Sequence, residues 1–261
     1  YRDLDLHNWE VGAPSPSGRW VEKASPRFEE KYDAQALQRL RLGPPCFLAS
    51  IDPVRQRTRR IYQSPGERWI KNLVDAGSDW WRGVAGREVP KGTAHMMGAL
   101  SHIQRLDALR LVRDRGLSWW GGITAVPPFV TGFGGRFGMT HLDREGRDSL
   151  LKEIEAEGLR RAPMSRPSYL SSMLRCKAVV SIAGYGELCF RMAEAWAVRR
   201  LLVCQDMSHA RVDFPLENGR NVVFCRPDLS DLPDLLEDVE CNWPRYSKVA
   251  EQGAEDWRTW S

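Results

Sequence analysis

Several ready signposts are missing from this sequence, and each absence removes a class of protein. No apolar run approaches the ~18 residues that cross a bilayer, and no leader-like segment is visible. The six cysteines, at positions 46, 176, 189, 204, 225 and 241, make no C-x-x-C pair, which argues against a zinc ribbon or a disulfide framework. Cys46, Cys176, Cys204 and Cys225 lie in or beside apolar runs, where reduced thiols are ordinary core residues, so a cytoplasmic setting is expected. The chain starts at Tyr1 rather than Met, so removal of a targeting segment would point to the secretory pathway instead. The net charge of +4 is too small and dispersed for a dedicated nucleic-acid surface, although it suits an anionic small ligand. Internal repeats and low-complexity tracts are absent. A G-x-G-x-x-G directly after a strand is absent too, which disfavours a Rossmann-type oxidoreductase. The string GFGGRFG, Gly132 to Gly138, has the glycines without the preceding strand or the following helix, and reads as a flexible loop.

What remains is globular. The 261 residues are 42% hydrophobic and 28% charged, enough for one large domain or two small ones with a core. Residues 1–43 read as a polar arm followed by a helix from Phe28 to Leu42, stopped by Gly43-Pro-Pro45. Residues 44–261 read as one α/β domain, with an insertion at about 124–162. Within it, Cys46 to Ile51 forms a buried strand, followed by the basic loop RQRTRR from Arg55 to Arg60 and a helix from Glu67 to Ala76. Gly77 to Gly92 reads as loop, Met96 to Arg115 as a long helix, and Leu117 to Ile123 as a strand. Thr124 to Met139 reads as loop and Leu142 to Arg161 as a charged helix. The eleven tryptophans include the pairs Trp80-Trp81 and Trp119-Trp120; these can stack on a sugar or base, but packing is the more ordinary use.

The most informative stretch is Pro163 to Asp206. A short helix from Ser168 to Arg175 leads into Lys177-Ala-Val-Val-Ser-Ile182, a continuous apolar run of the kind found in parallel strands covered on both faces. Gly184-Tyr-Gly186 breaks the chain, Glu187 to Val198 resumes at helical period, and Leu201 to Cys204 is a second buried strand ending at Asp206. A helix N-terminus after a glycine turn offers free N–H groups and partial positive charge to a phosphate. Arg191 and Glu194, three residues apart, share a face of that helix. The arginine fork suits a diphosphate and the carboxylate suits ribose hydroxyls, whereas an exposed i,i+3 ion pair would be worth only ~0.3–0.5 kcal/mol. A strand from Asn221 to Cys225, a helix from Asp228 to Val239 capped by Asp228 or Ser230, and a helix from Tyr246 to Trp260 complete the α/β alternation.

This order, with GYGELCFRMAEAW, LLVCQD, a Phe-Pro and NVVFCRPDLSDLPDLLEDV, resembles the nucleotide-sugar half of a GT-B glycosyltransferase. More narrowly it is similar to the capsule-associated and protein O-glucosyltransferase family and to exostosin or group 1 C-terminal domains, well over Pro163 to Ser261 and loosely over Pro44 to Ile123. One departure is Cys189, where those families often place a small hydroxyl residue two before the arginine.

The resemblance implies a Rossmann-like, mostly parallel sheet and a hexosyltransferase that moves a sugar from a nucleotide diphosphate sugar to a protein or glycan hydroxyl. It implies donor contacts from Arg191, Glu194, Gly184, Tyr185, Gly186, Glu187 and Asp206, with Arg55 or Arg57 over the phosphates. Arg105 and His209 are further candidates on the same analogy, while His102 reads as a surface or core-edge histidine. Arginine and a helix terminus can neutralise a departing diphosphate without a metal or other cofactor. No residue presents itself as the catalytic base. GT-B enzymes have two such domains and too little chain precedes the first strand for a second, so a non-catalytic nucleotide-sugar-binding module, or a fragment needing a partner half, is the alternative.

Overall fold

In the computed structural model, residues 90–132, 139–184, 189–207 and 216–260 are described. The strand expected at Cys46 to Ile51 and the loop carrying Arg55 and Arg57 lie outside them. Among the described residues thirteen elements follow one another: β1 (Gly92–Gly98), α1 (Gln104–Asp114), β2 (Trp119–Ile123), β3 (Phe129–Thr131), β4 (Met139–His141), α2 (Arg144–Ala156), α3 (Arg166–Leu174), β5 (Cys176–Ser181), α4 (Phe190–Ala197), β6 (Leu201–Gln205), β7 (Val223–Cys225), α5 (Leu232–Cys241) and α6 (Trp243–Trp260).

Five strands form one sheet in the order β2-β1-β5-β6-β7, with every pairing parallel. The continuous apolar runs dictate this: Ala178, Val179, Val180, Leu201, Leu202 and Val203 are wholly buried, which only a sheet covered on both faces permits. One face packs against α1, α2 and α5, through Leu106, Leu109, Val112, Leu150, Ile154, Leu232 and Leu236. The other carries Leu170 and Met173 of α3 and Met192 and Trp196 of α4. Helix α6 leans on α4 and β6, where Trp257 stacks on Trp196 at 5.3 Å. The expected α/β, Rossmann-like architecture is what forms.

Two expectations are corrected. The long helix from Met96 does not exist; Met96 and Met97 belong to β1, and the helix is confined to Gln104–Asp114. The sequence GTAHMMG hides its strand because a histidine stands at its centre. His95 is nevertheless fully buried, stacked on Trp120 at 5.6 Å and edge-on to Tyr169 at 5.5 Å. The stretch from Thr124 to Met139 is not all loop, since β3 and β4 pair antiparallel through Phe129 and His141, Val130 and Thr140, and Thr131 and Met139. Three-residue strands are too short to show an alternating pattern.

Other boundaries shift slightly. Helix α4 starts at Phe190, with Cys189 at the N-cap, and α5 starts at Leu232 after Asp231. Neither Asp228 nor Ser230 caps α5; Asp228 Oδ1 accepts from the Ser230 N–H at 3.0 Å. In α2 and α3 the caps are the ordinary ones, Asp143 accepting from Gly146 N and Ser165 accepting from Ser168 N.

Strand order reverses between β1 and β5. Chain leaving β1 enters α1 on one face, and chain leaving β5 enters α4 on the other. The two departures splay apart and open a crevice at the carboxyl edge of the sheet, the usual ligand position in open α/β folds.

Candidate functional site

The crevice between β1 and β5 is lined by two arginines, one from each side. Arg105 stands in the first turn of α1, and Arg191 in the first turn of α4. Both are partly buried, and both line a small cavity with Gly98, Met97, Ile123, Val180 and Ile182. Two glycines make room for them. A methyl group at Gly98 would lie 2.5 Å from Arg191 Nη2 and 3.8 Å from Arg105 Nη1. One at Gly184 would lie 2.5 Å from Arg105 Nη2 and 2.9 Å from Ser101 Oγ.

Arg105 is tied to the ends of both strands. Its Nη1 donates to Ala99 O at 2.9 Å, its Nε to Ile182 O and Ala183 O at 3.3 and 3.2 Å, and its Nη2 to Ile182 O at 3.2 Å. Nη2 also lies 3.5 Å from Cys189 Sγ. These partners are carbonyls and a thiol rather than carboxylates, so they do not neutralise the charge. Burial pushes the Arg105 pKa down, and the Arg191 cation adds to that. Arg191 Nη2 donates to Met97 O at 2.5 Å, which anchors α4 to the end of β1. Its Nε is buried and unpartnered. Arg191 stands beside the second guanidinium, and despite burial Tyr169, Cys189 and Glu194 hold its pKa up, so it stays a cation.

Helix α4 adds to the same field. Its N-cap Cys189 makes no side-chain capping bond, its Sγ turning instead to Ile182 O at 3.7 Å, and the helix N-terminus carries a partial positive charge. Glu194 is 4% exposed, and its Oε2 accepts from the Tyr169 hydroxyl at 3.0 Å. The Arg191 guanidinium lies close enough to that hydroxyl to interact with it. The two charges of α4 are thus bridged by a residue of α3. Asp206 follows β6 on the same carboxyl edge, half-buried, with its N–H bonded to Cys225 O at 2.9 Å.

The crevice therefore brings together Arg191, Gly184 and Cys189 with Arg105, while Glu194 stands behind Arg191 and Asp206 lies one strand further along. Tyr185, Gly186, Glu187, His209, Arg55 and Arg57 lie outside the described residues. Trp119 and Trp120 pack rather than stand free: Trp120 on His95, and Trp119 under the Arg161 guanidinium at 5.7 Å. The sequence reading missed the bridging role of Tyr169 altogether. It is 25 residues from Glu194, and no local pattern marks it.

Two histidines near the crevice are neutral. His102 is buried in the turn between β1 and α1, and its pKa is lowered to about 4 by desolvation, helped by the Arg105 cation. Its Nδ1 accepts from the Gln104 N–H at 3.1 Å, which leaves the proton on Nε2. In that tautomer His102 offers a donor, not a base. His95 is lowered to about 3 by burial and by Arg191. Ser172 Oγ gives its own proton to Tyr169 O at 2.6 Å and so accepts from His95 Nε2 at 2.9 Å, leaving His95 Nδ1 bare and unpartnered. No group of three His, Cys, Asp or Glu side chains placed to hold a metal occurs among the described residues, and none of their helices is long and apolar enough to cross a membrane.

No protein-family model matches the sequence, and no curated protein matches it. Among solved structures, that of TarM superposes with a TM-score of 0.46 at 15% identity, over 67% of this chain and 34% of that one. A mutant of S. aureus TarM in complex with fondaparinux, alpha-GlcNAc-glycerol and UDP gives a TM-score of 0.43 at 14% identity, over the same 67% and 34%. The chain thus spans about a third of the length of the solved structures it is similar to.

Proposed function

We propose that this chain is the nucleotide-sugar-binding half of a GT-B glycosyltransferase, moving a sugar from a nucleotide diphosphate sugar to a hydroxyl of a protein or glycan acceptor. The observation that carries this reading is the meeting of Arg105 and Arg191 across the β1/β5 crevice, with the Nε of Arg191 unpartnered. A diphosphate matches that arrangement in charge, and arginine forks match its oxygens in geometry.

The chemistry follows from where charge appears. When the bond between the anomeric carbon and the diphosphate oxygen breaks, negative charge grows on the leaving phosphate. Fixed guanidiniums and the α4 N-terminus stabilise that charge most at the transition state. No metal or further cofactor is required in this scheme. Backbone N–H groups around Gly184, Tyr185, Gly186 and Glu187 would complete the phosphate cradle, with Arg55 or Arg57 above it. Asp206, at the end of β6, would face the sugar. Glu194 would serve the ribose, directly or by setting Arg191.

A base to activate the acceptor is not assigned, since neither His102 nor His95 is in a form to act as one. In a second reading the chain binds the donor and a further domain or partner completes catalysis. Thermal unfolding with a panel of UDP, GDP, ADP and CDP tests the common core of both. A selective rise in melting temperature that is lost in Arg191→Ala is expected. No rise with any diphosphate would overturn the assignment. Slow donor hydrolysis by the chain alone would favour the enzyme over the binding module.

A further inference from the structure

The cation of the crevice is held from behind by a residue of another helix. Helix α3 precedes β5 and packs on the same face of the sheet as α4, through Leu170 and Met173. It brings Tyr169 against His95, edge-on at 5.5 Å, and extends the hydroxyl between Arg191 and Glu194. That hydroxyl donates its own proton to Glu194 Oε2 at 3.0 Å and turns an oxygen lone pair toward the neighbouring Arg191 cation.

We infer that Tyr169 is a positioning residue of the anion site: its hydroxyl fixes the Arg191 guanidinium by linking it to the buried carboxylate of Glu194. This rests on the anion-binding reading of the crevice. Without the hydroxyl, Arg191 keeps Met97 O as an anchor and the charge of Glu194 nearby but loses the group between them, and Glu194 loses a donor while 4% exposed. An Arg held at fewer points explores more rotamers, and a ligand must then restrict it on binding. Burial pushes the Tyr169 pKa up, so the hydroxyl keeps its proton, and with it the direction of the chain of bonds, across the working pH range.

Tyr169→Phe keeps the ring against His95 and removes only the hydroxyl. Ser172→Ala is the control: it removes the bonds to His95 Nε2 and Tyr169 O on the same helix and leaves the hydroxyl in place. Two readouts are made on the full chain, namely the rate at which phenylglyoxal modifies Arg191, followed by peptide mass spectrometry, and the affinity for whichever nucleoside diphosphate stabilises the wild type. Tyr169→Phe is expected to raise the Arg191 modification rate several-fold and to weaken the diphosphate about tenfold, as for one charge-assisted hydrogen bond. Ser172→Ala is expected to leave both near wild type. Unchanged modification in Tyr169→Phe, or an equal rise in Ser172→Ala, would overturn the inference in favour of simple packing. A rise confined to Tyr169→Phe in a protein that binds no diphosphate would leave the positioning intact and sink the functional reading instead.

Discussion

Gly98 and Arg191 touch across the crevice: no side chain fits at the end of β1 without moving the guanidinium, because a methyl group there would stand 2.5 Å from Nη2. The obstructing atom is the far end of a long side chain rather than backbone. Gly98→Ala is therefore expected to fold at close to wild-type stability while weakening diphosphate binding at least tenfold. Calorimetric titration alongside thermal melting separates the two effects, and equal affinity would show that the Arg191 position is immaterial.

The two arginines are expected to fail differently. Arg105 joins Ala99, Ile182 and Ala183, so Arg105→Ala removes ties between the ends of β1 and β5 and is expected to cost about 2 kcal/mol or more of stability. Arg191→Ala is expected to lose diphosphate binding, and its cost in stability comes from leaving the 4% exposed Glu194 carboxylate without its cation rather than from untying the strand ends. Urea unfolding of both variants, with and without diphosphate, checks the contrast. Arg191→Lys is expected to rescue little, because an ammonium lacks the planar fork.

His102 acts on α1 through an acceptor. Its Nδ1 takes the N–H of Gln104 in the first turn, the task usually given to Asn or Asp. His102→Ala is expected to destabilise the fold by about 1 kcal/mol and His102→Asn to recover most of it. If His102→Ala is neutral in chemical denaturation, the bond contributes nothing to the fold.

Acid should unfold this protein early. His95 has its folded pKa lowered from 6.5 to about 3, and His102 to about 4, so between those values and 6.5 the native chain binds fewer protons than the unfolded one. Their contribution is complete above pH 6.5 and is lost as the pH falls through the window. For His95 alone it amounts to about 3 kcal/mol by pH 4. His95 faces Trp120, Tyr169, Ser172 and Arg191, none of which offers a carboxylate to accept its charge. Stability against pH for wild type and His95→Gln measures this, and a slope unchanged in the variant would remove His95 as the cause.

The legibility of the chain follows its chemistry. The unit from α3 to β6 was readable because β5 and β6 are unbroken apolar runs and Gly184 stands at the turn between β5 and α4. Strand β1 was not, because Gly92, Thr93, His95 and Gly98 interrupt it, and what makes His95 acceptable inside is a ring from β2 and another from α3. Arg191 could be singled out by its place after a glycine turn. Arg105 drew notice only by analogy, because the carbonyls that hold it at Ile182 come from 77 residues away. Tyr169 had no signal at all, since its importance is a contact between helices and not a pattern within one.

The crevice is also built from contacts distant in sequence. Arg191 reaches Met97 over 94 residues and Arg105 reaches Ile182 over 77, while β1 and β5 pair in parallel across α1, β2, the hairpin, α2 and α3. Contacts of such separation carry a large loop-closure cost and form late. Each βαβ segment can gather locally before then, but the pair of guanidiniums exists only once the sheet has closed at its centre. A diphosphate added during refolding should then leave the early phases unchanged and slow only unfolding, which makes ligand binding a chemical report on the last step of assembly.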